Sequence, residues 1–334
     1  MKNRWIVITS IYLPRQVILD NLQIGYSVVV VGDKKTPHES WQRLVNENFY
    51  YLTPEQQEFY FPEFSRLIGF NTYARKNLGY LFAVLNGATS VWDTDDDTYI
   101  RPDALPQLND FSLCQNFQVA GDGFFNPYNF FASGSELWPR GYPLRLIHQD
   151  KIANSSKLRV KSLLELPKID VLQTLVNLEP DLDAIFRMII GDHLHDFKVD
   201  NRIIHLENGV VAPGNTQSTL WLSPDKFRYL YIPRWVSFRF CDILKMYIAQ
   251  SRASLGYSGF WSEQIRNPHD YMIDFESEVP CYLNTEKVVN LLRTFQSPSL
   301  VDIYRELNSD GICLSQEIEA ASMFEELMKV MQNV

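Results

Sequence analysis

The chain has 334 residues, which is enough for one large α/β domain with an appendage or for two domains. Its 46% hydrophobic and 21% charged residues are typical of an ordered globular protein and exclude a disordered one. The net charge of −9 and the lack of a long Lys/Arg run exclude the basic stripe that nucleic-acid-binding proteins carry.

The cysteines and the apolar segments bear on cellular location. Cys114, Cys241, Cys281 and Cys313 form no CxxC pair, so the sequence predicts reduced, buried thiols and no zinc site. Trp5–Ile8 is too short for the apolar region of a signal peptide, and no stretch approaches the roughly 20 apolar residues of a membrane helix. We expect a cytoplasmic protein, with peripheral membrane contact and homo-oligomerisation left open.

The first 60 residues have the pattern of a nucleotide-binding α/β fold. Trp5–Ser10 predicts a buried strand, residues 15–24 a helix, and Tyr26–Val31 a second buried strand that ends at Gly32–Asp33. Asn48–Leu52 predicts a third, short strand. The alternation of strand, helix and strand is the opening of a fold that binds its ligand at the carboxyl ends of the strands.

A helix and another strand lead into an acidic run. Thr72 is the expected N-cap, apolar residues recur at helical spacing from Leu78 to Leu85, and Gly87 stands where a helix ends. Ala88–Trp92 then predicts a buried strand that runs directly into Asp93. Carboxylates therefore follow the carboxyl end of a sheet strand.

The sequence predicts loops and short strands over 111–145 and irregular β-structure over 203–224. Between them, the residues from Leu182 to Ile190 form the apolar face of a predicted helix, with Asp181 or Glu179 near its start. A further helix is predicted over 240–252, and amphipathic helices follow from about residue 284. We expect two domains, residues 1–283 and a helical extension over 284–334.

The run Asp93-Thr94-Asp95-Asp96-Asp97 is the strongest chemical signal. Four close carboxylates repel one another, and a divalent cation relieves that repulsion. Mg²⁺ and Mn²⁺ prefer oxygen ligands and often use one or two carboxylates together with substrate phosphates. The D-x-D arrangement is that of GT-A glycosyltransferases, with Asp93 facing the ribose and Asp95 and Asp97 holding the metal. The alternative is a solvated acidic turn.

Residues near the strand ends are candidates for binding a nucleotide. Asp33 could accept the N3–H of uracil, and Thr9 and Ser10 could contact the base or the ribose. Arg75 and Lys76 lie in the first turn of a helix, where the dipole disfavours cations, and this indicates an anion nearby, such as the diphosphate. The alternatives are a turn aspartate, a polar strand end and a solvated helix start.

Candidates for catalysis and for phosphate binding occur later in the chain. Asp181 and Asp183 could supply the general base of an inverting reaction, or could simply favour the start of a helix. Arg234 and Arg239 suit bidentate phosphate contacts, or could pair with surface acids. His269 could be a late metal or phosphate ligand, or a plain loop residue.

Six collinear segments resemble the STELLO-like family of glycosyltransferases. They are Val31–Pro37, Arg75–Ala83, Asp93–Asp97, Leu137–Leu144, Pro180–Arg187 and Pro233–Ile243. The resemblance implies a GT-A-like nucleotide-diphospho-sugar transferase fold, with a mixed, mainly parallel sheet flanked by helices. It also implies a nucleotide-sugar donor, and it places Trp138 and Arg140 near the sugar. A more distant likeness is to reversibly glycosylated polypeptides, which act as UDP-sugar mutases.

Together these observations predict a metal-dependent glycosyltransferase. It would use Mn²⁺ or Mg²⁺ to move a sugar from a nucleotide-diphosphate donor, with UDP as the expected nucleotide, to a hydroxyl acceptor such as a glycan. One alternative is a mutase that acts on the donor alone, and another is a catalytically silent scaffold. A nucleotidyltransferase is disfavoured because Thr9–Pro14 is not the glycine-rich loop that such enzymes carry after the first strand.

Overall fold

The computed structural model describes residues 3–16, 25–132, 136–147, 158–191, 194–267 and 270–332. The chain forms two compact units. The first consists of Met1–Asp97, Leu220–Val236 and Thr294–Val334, and the second of Thr98–Thr219 and Ser237–Arg293. Most of the helix predicted over 15–24 lies outside the described residues.

The first unit contains a parallel sheet. Its strands are β1 (Arg4–Ser10), β2 (Ser27–Gly32), β3 (Phe49–Leu52) and β4 (Ser90–Thr94), in the spatial order β3-β2-β1-β4. The centres of β1 and β2 are buried on both faces, which explains their continuous runs of β-branched residues. The strand order reverses between β1 and β4, so a topological switch point lies at their carboxyl ends.

Short helices connect these strands. They are α1 (His38–Gln42), α2 (Pro54–Tyr60), α3 (Pro62–Ile68) and α4 (Lys76–Leu85), and a 3₁₀ turn (Tyr73–Arg75) precedes α4. As predicted, Thr72 caps this start, because its side chain accepts a hydrogen bond from the backbone N–H of Ala74.

Helix α4 packs closely against the sheet at Gly79. A Cβ at this position would lie 2.6 Å from Cγ1 of Val7 on β1 and 2.8 Å from Cγ2 of Val31 on β2. Only glycine therefore allows this approach. The contact fixes α4, which carries Lys76 at its first position, relative to the carboxyl ends of these strands.

The second unit contains mixed β-structure. Its strands are β5 (Thr98–Ile100), β6 (Gln115–Gly121), β7 (Gly123–Phe124), β8 (Leu158–Leu163), β9 (Val171–Asn177), β10 (Arg202–Leu206), β11 (Val210–Val211) and β13 (Leu255–Gln264), and β12 (Ser218–Trp221) begins in this unit and ends in the first. Strand β13 pairs parallel with β9 and antiparallel with β10 and β5. Strand β6 pairs parallel with β10 and antiparallel with β8, and β11 pairs parallel with β7.

The helices of the second unit are α5 (Leu105–Asn109), α6 (Pro127–Phe131), α7 (Ala184–Ile190), α8 (Phe238–Gln250) and α9 (Tyr271–Thr294). Further 3₁₀ turns in the chain are Pro102–Ala104, Phe111–Leu113, Leu144–Leu146 and Pro224–Leu230. The predicted helices over 182–190 and 240–252 correspond to α7 and α8. The predicted α/β fold is confirmed, because mixed β-structure is flanked by helices.

The C-terminal helices α10 (Leu300–Ser309) and α11 (Gln316–Gln332) pack against each other, and α11 also packs on α3 and α4 of the first unit. Phe324 of α11 lies 5.9 Å from the ring of Phe64 on α3. The predicted boundary after residue 283 falls inside α9, and the compact units divide the chain elsewhere. The division into domains 1–283 and 284–334 stays a prediction.

The four cysteines are buried and free, as the sequence predicts. Within the described ranges, no helix is both long enough and apolar enough to cross a membrane. A cytoplasmic location stays a prediction from the sequence.

Candidate functional site

The ends of three parallel strands are joined by side-chain hydrogen bonds in the first unit. Ser10, the last residue of β1, donates its hydroxyl to Oδ2 of Asp96, which follows β4. Thr36 donates its hydroxyl to the carbonyl of Ser10 at 2.6 Å and accepts the backbone N–H of Asp33 at 2.7 Å. The predicted residues Ser10, Asp33 and the acidic run therefore meet at the switch point of this sheet.

Lys76 lies at the centre of the acidic run. Its buried Nζ is 2.7 Å from Oδ1 of Asp93 and 3.3 Å from Oδ1 of Asp95, and it donates to the carbonyl of Thr94 at 2.6 Å. Burial alone would lower the pKa of Lys76, but the two carboxylates outweigh it and raise the pKa. Lys76 thus neutralises part of the charge of the run.

Tyr73 completes this arrangement. Its hydroxyl donates to Oδ1 of Asp95 at 2.7 Å and accepts from Nζ of Lys76 at 3.0 Å. The sequence predicts an anion near Lys76, such as the diphosphate, and it does not indicate a role for Tyr73. The usable signal was a cation in the first turn of a helix, which needs a compensating anion. That anion is the chain's own acidic run.

The cations near the acidic run do not fully neutralise its carboxylates. Burial, with a contribution from the charge of Asp97, raises the pKa of Asp95 to about 6 despite the opposing effect of Lys76. Burial also raises the pKa of Asp96 to about 7, although its hydrogen bond from Ser10 acts in the opposite direction. Lys76 and the charge of Arg15, which acts on Asp96, do not balance four aspartates, and a bound cation would relieve the remaining negative charge.

The residues fit a divalent metal ion that also takes ligands from a substrate. Among the described residues, no three His, Cys, Asp or Glu side chains form a ready-made metal site. Mg²⁺ and Mn²⁺ in phosphate chemistry need only one or two carboxylates. Asp95 offers one, because its side chain is 27% exposed although its Oδ1 is engaged. His269, the third predicted metal ligand, lies outside the described residues.

Asp33 and Thr9 have local partners. The carboxylate of Asp33 accepts the backbone N–H of Lys34 at 2.6 Å and that of Thr72 at 3.2 Å, and Thr9 donates its hydroxyl to the carbonyl of Val31 at 3.0 Å. Asp33 therefore joins the loop after β2 to the start of α4. Its predicted contact with a base stays a prediction.

Arg75 is fully buried in the first unit. Its Nε donates to Oε1 of Gln57 at 2.8 Å, and its Nη1 donates to the carbonyls of Ser65 and Gly69, each at 3.0 Å. Burial lowers its pKa to about 10. Because its donors already bind groups of the protein, the geometry favours a structural role over the phosphate contact that the sequence suggested.

Arg234 differs from Arg75. It is half-buried, and its Nε donates to the carbonyl of Ile68 at 3.1 Å. Its Nη atoms make no hydrogen bond or ion pair with the described residues. Of the arginines predicted to bind phosphate, Arg234 therefore keeps the most donors available for a ligand.

In the second unit, the segments around Trp138 and Asp181 pair with each other. Arg140 donates its backbone N–H to the carbonyl of Asp181 at 3.1 Å, and Asp183 donates its backbone N–H to the carbonyl of Trp138 at 2.8 Å. The ring of Trp138 lies 5.1 Å from that of Phe186 on α7. Two of the segments that carry the family resemblance thus form one local structure.

A buried charge cluster surrounds this pairing. Nη2 of Arg140 lies 2.7 Å from Oδ2 of Asp181 and 2.7 Å from Oδ2 of Asp242, and Arg239 pairs with Glu278. Burial alone would raise the pKa of Asp181, but Arg140 and Arg239 outweigh it and lower the pKa to about 2. A carboxylate held in this way is a weak proton acceptor. Arg140 and Arg239 are likewise committed to protein carboxylates, which favours structural roles for both.

Asp183 is the N-cap of α7. Its Oδ1 accepts the backbone N–H groups of Ile185 at 2.8 Å and Phe186 at 3.3 Å, and the residue is fully buried. Burial, followed by the charge of Glu278, raises the pKa of Asp183 to about 6. The capping role considered from the sequence is therefore present, and a role as general base stays a prediction.

Comparison with known proteins gives a family likeness. No family model matches the chain. Two proteins of Arabidopsis thaliana are similar to it. Probable glycosyltransferase STELLO1 is 23% identical over 354 aligned residues, which cover 98% of this chain and 44% of that protein. Probable glycosyltransferase STELLO2 is 23% identical over 314 aligned residues, which cover 88% of this chain and 40% of that protein.

The chain thus spans less than half the length of these relatives, so the activity of the whole proteins can only be proposed for it. The alignment with STELLO1 covers 98% of the chain and therefore includes the six segments that carry the resemblance. Over most of its length the chain is similar to the STELLO proteins, and the family resemblance predicted from its motifs is confirmed.

Proposed function

We propose that this protein is a metal-dependent glycosyltransferase that uses a nucleotide-diphosphate sugar, with UDP as the nucleotide, and a hydroxyl acceptor such as a glycan. The observation that carries the proposal is the acidic run at the switch point of a parallel sheet, where it contacts the end of β1 through Ser10. The names of the two relatives support glycosyl transfer as the reaction class.

The residues of the first unit would bind the donor. Asp95 and Asp97 would hold Mn²⁺ or Mg²⁺, which when bound acts as a Lewis acid on the leaving diphosphate. Lys76 pairs with Oδ1 of Asp93 and holds Oδ1 of Asp95. Arg234 would bind the diphosphate through its Nη atoms.

The same proposal assigns tasks to the rest of the predicted site. Ser10, Thr9 and Asp33 would contact the ribose and the base. Trp138, which is half-buried, would contact the sugar. An inverting reaction needs a general base, and the pKa of Asp183, about 6, suits proton acceptance better than the pKa of Asp181, about 2.

The test is a titration of the protein with UDP and UDP-sugars by calorimetry, with and without Mn²⁺. We expect binding that depends on the metal and that is lost in Asp95→Asn, since the amide cannot supply the charged ligand. Asp225→Asn is the matched control, because Asp225 belongs to the same unit and its side chain is 63% exposed. Binding that is unchanged in Asp95→Asn would refute the metal assignment.

Two other results would redirect the proposal. If no nucleotide bound in either condition, the silent scaffold would become the better interpretation. If the purified protein rearranged a UDP-sugar without any acceptor, as followed by proton NMR of the sugar, the reaction would be that of a mutase. A sugar transferred only when a hydroxyl acceptor is present would support the transferase.

A further inference from the structure

A single loop in the first unit, residues 232–235, carries Arg234 and is called the Arg234 loop below. Asn77 on α4 holds its beginning, because its Nδ2 donates to the carbonyl of Ile232 and its Oδ1 accepts the N–H of Ile232, each at 2.8 Å. Asn77 is fully buried and follows Lys76 directly in the chain. The helix that carries Lys76 therefore also anchors this loop.

Glu317, in the first turn of α11, holds the end of the loop. Its Oε2 accepts the backbone N–H of Trp235 at 2.7 Å, and its Oε1 accepts the backbone N–H of Arg234 at 3.0 Å and the hydroxyl of Tyr231. Glu317 is fully buried. All three donors belong to the loop or to the residue just before it.

A buried carboxylate is costly unless hydrogen bonds satisfy it. Here two of the three donors are backbone N–H groups of the Arg234 loop, so the cost is fully offset when the loop has this conformation. The arrangement couples the placement of α11 to the backbone of Arg234. A carboxylate that merely joined two helices would not need consecutive backbone N–H groups from one loop.

The functional group that the Arg234 loop carries is the guanidinium of Arg234. Nε of Arg234 is fixed by the carbonyl of Ile68, and in the described part of the chain the Nη atoms have no protein acceptor. A guanidinium with a fixed base and unused Nη donors suits a bidentate contact with a phosphate.

We propose that Glu317 is a positioning residue for nucleotide-diphosphate binding, which acts by holding the Arg234 loop so that Arg234 meets the diphosphate. The C-terminal helix α11 thereby belongs to the donor-binding machinery of the first unit. The inference rests on the proposed function, and it adds a residue that lies outside every motif selected from the sequence.

The experiment has two independent readouts. Hydrogen exchange without any nucleotide reports whether Glu317 holds the loop, and calorimetry with UDP and Mn²⁺ reports binding. In Glu317→Ala we expect exchange at the amides of Arg234 and Trp235 to rise at least tenfold and the Kd for UDP to rise roughly tenfold, as for a lost interaction of about 1.4 kcal/mol. Glu317→Gln, which keeps an acceptor oxygen for the loop, should restore most of the affinity.

The control is Glu325→Ala. Glu325 is also a buried glutamate of α11, but it accepts the N–H of Leu300 at 3.1 Å and pairs with Arg228 at 3.2 Å instead of holding the Arg234 loop. It should lower thermal stability without changing exchange in the loop or the Kd. If it weakened UDP binding as much as Glu317→Ala did, the role of Glu317 would be merely structural and the proposal would be overturned.

A double-mutant cycle tests the route through Arg234. If Glu317 acts by placing Arg234, then Glu317→Ala should add almost nothing to the loss of affinity in Arg234→Met. Additive losses would overturn the inference. Different results contradict the two proposals. If the unaltered protein does not bind UDP, the proposed function is contradicted. If the unaltered protein and Glu317→Ala bind UDP equally well, only the role of Glu317 is contradicted.

Discussion

The buried N-cap Asp183 should make the stability of the protein depend on pH. Its pKa is raised from the ordinary value of 3.8 to about 6 by burial and by Glu278. The contribution of Asp183 to the free energy of unfolding is therefore fully present below its unfolded pKa of 3.8 and is lost as the pH rises through about 6. Each pKa unit corresponds to about 1.4 kcal/mol, so the charged carboxylate costs the folded state about 3 kcal/mol near neutral pH.

Asp183→Asn separates charge from capping. Asparagine caps a helix about as well as aspartate, so the hydrogen bonds to Ile185 and Phe186 should persist. We expect the variant to gain up to about 3 kcal/mol over the unaltered protein between about pH 4 and about pH 8. In thermal melts this is a relative rise of roughly 5–10 °C.

The control for this prediction is Asp110→Asn. Asp110 also caps a helical turn, with its Oδ1 accepting the N–H of Ser112 at 3.0 Å, but it is exposed and its hydrogen bonds to Ser112 lower its pKa. It should show no gain at high pH. A difference between Asp183→Asn and the unaltered protein that does not change with pH would refute the electrostatic reasoning.

Other substitutions probe the buried charges and the packing of α4. Arg140→Met should lower the free energy of unfolding by about 3–5 kcal/mol, because two buried carboxylates lose their partner. Arg145→Met removes an ion pair whose arginine side chain is 64% exposed, so it should lower the free energy of unfolding by at most about 1 kcal/mol. If chemical denaturation showed equal losses for Arg140→Met and Arg145→Met, this reasoning would be contradicted. Lys76→Met should lower the melting temperature and increase the stabilisation that Mn²⁺ provides, because the acidic run would then have less positive charge of its own. A smaller response to Mn²⁺ would contradict this prediction. Gly79→Ala should cost about 1–3 kcal/mol through overlap with the sheet, and a fully stable variant would show that α4 can shift.

The parallel sheet could be predicted because its strands obey simple rules. The run Val28–Val31 is buried on both faces of the sheet and has β-branched side chains throughout, so it reads as a strand without any tertiary information. The acidic run was found because it directly follows such a strand. Both signals are local in the sequence.

Strands β9 and β13 were not predicted, because their buried positions are partly polar. Thr174 on β9 donates its hydroxyl to that of Ser218 at 2.6 Å, and the hydroxyl of Ser262 on β13 lies 2.8 Å from that of Ser218. These groups satisfy one another across strands that are distant in the chain. A hydrophobic pattern does not reveal such pairing, since the partners are known only once the strands are aligned.

The basic residues show a related limit. The sequence indicates that the cations at the start of α4 need an anion, and it does not indicate whether that anion is a ligand or a part of the protein. The structure provides internal partners for Lys76 and Arg140, whereas Arg75 donates to neutral groups of the protein. The distinction depends on contacts between residues that are many positions apart.

The order in which the chain is synthesised has a consequence for folding. The first unit combines residues 1–97 and 220–236 with residues from 294 onward, and the whole of the second unit lies between residues 97 and 294. During translation the second unit can therefore be complete while the parallel sheet still lacks the helices α10 and α11. Until α11 emerges from the ribosome, α3 and α4 expose the apolar faces that it will cover. We expect chaperone capture to be strongest during this interval, and a nascent chain stalled before residue 316 should engage a holdase that the released protein does not.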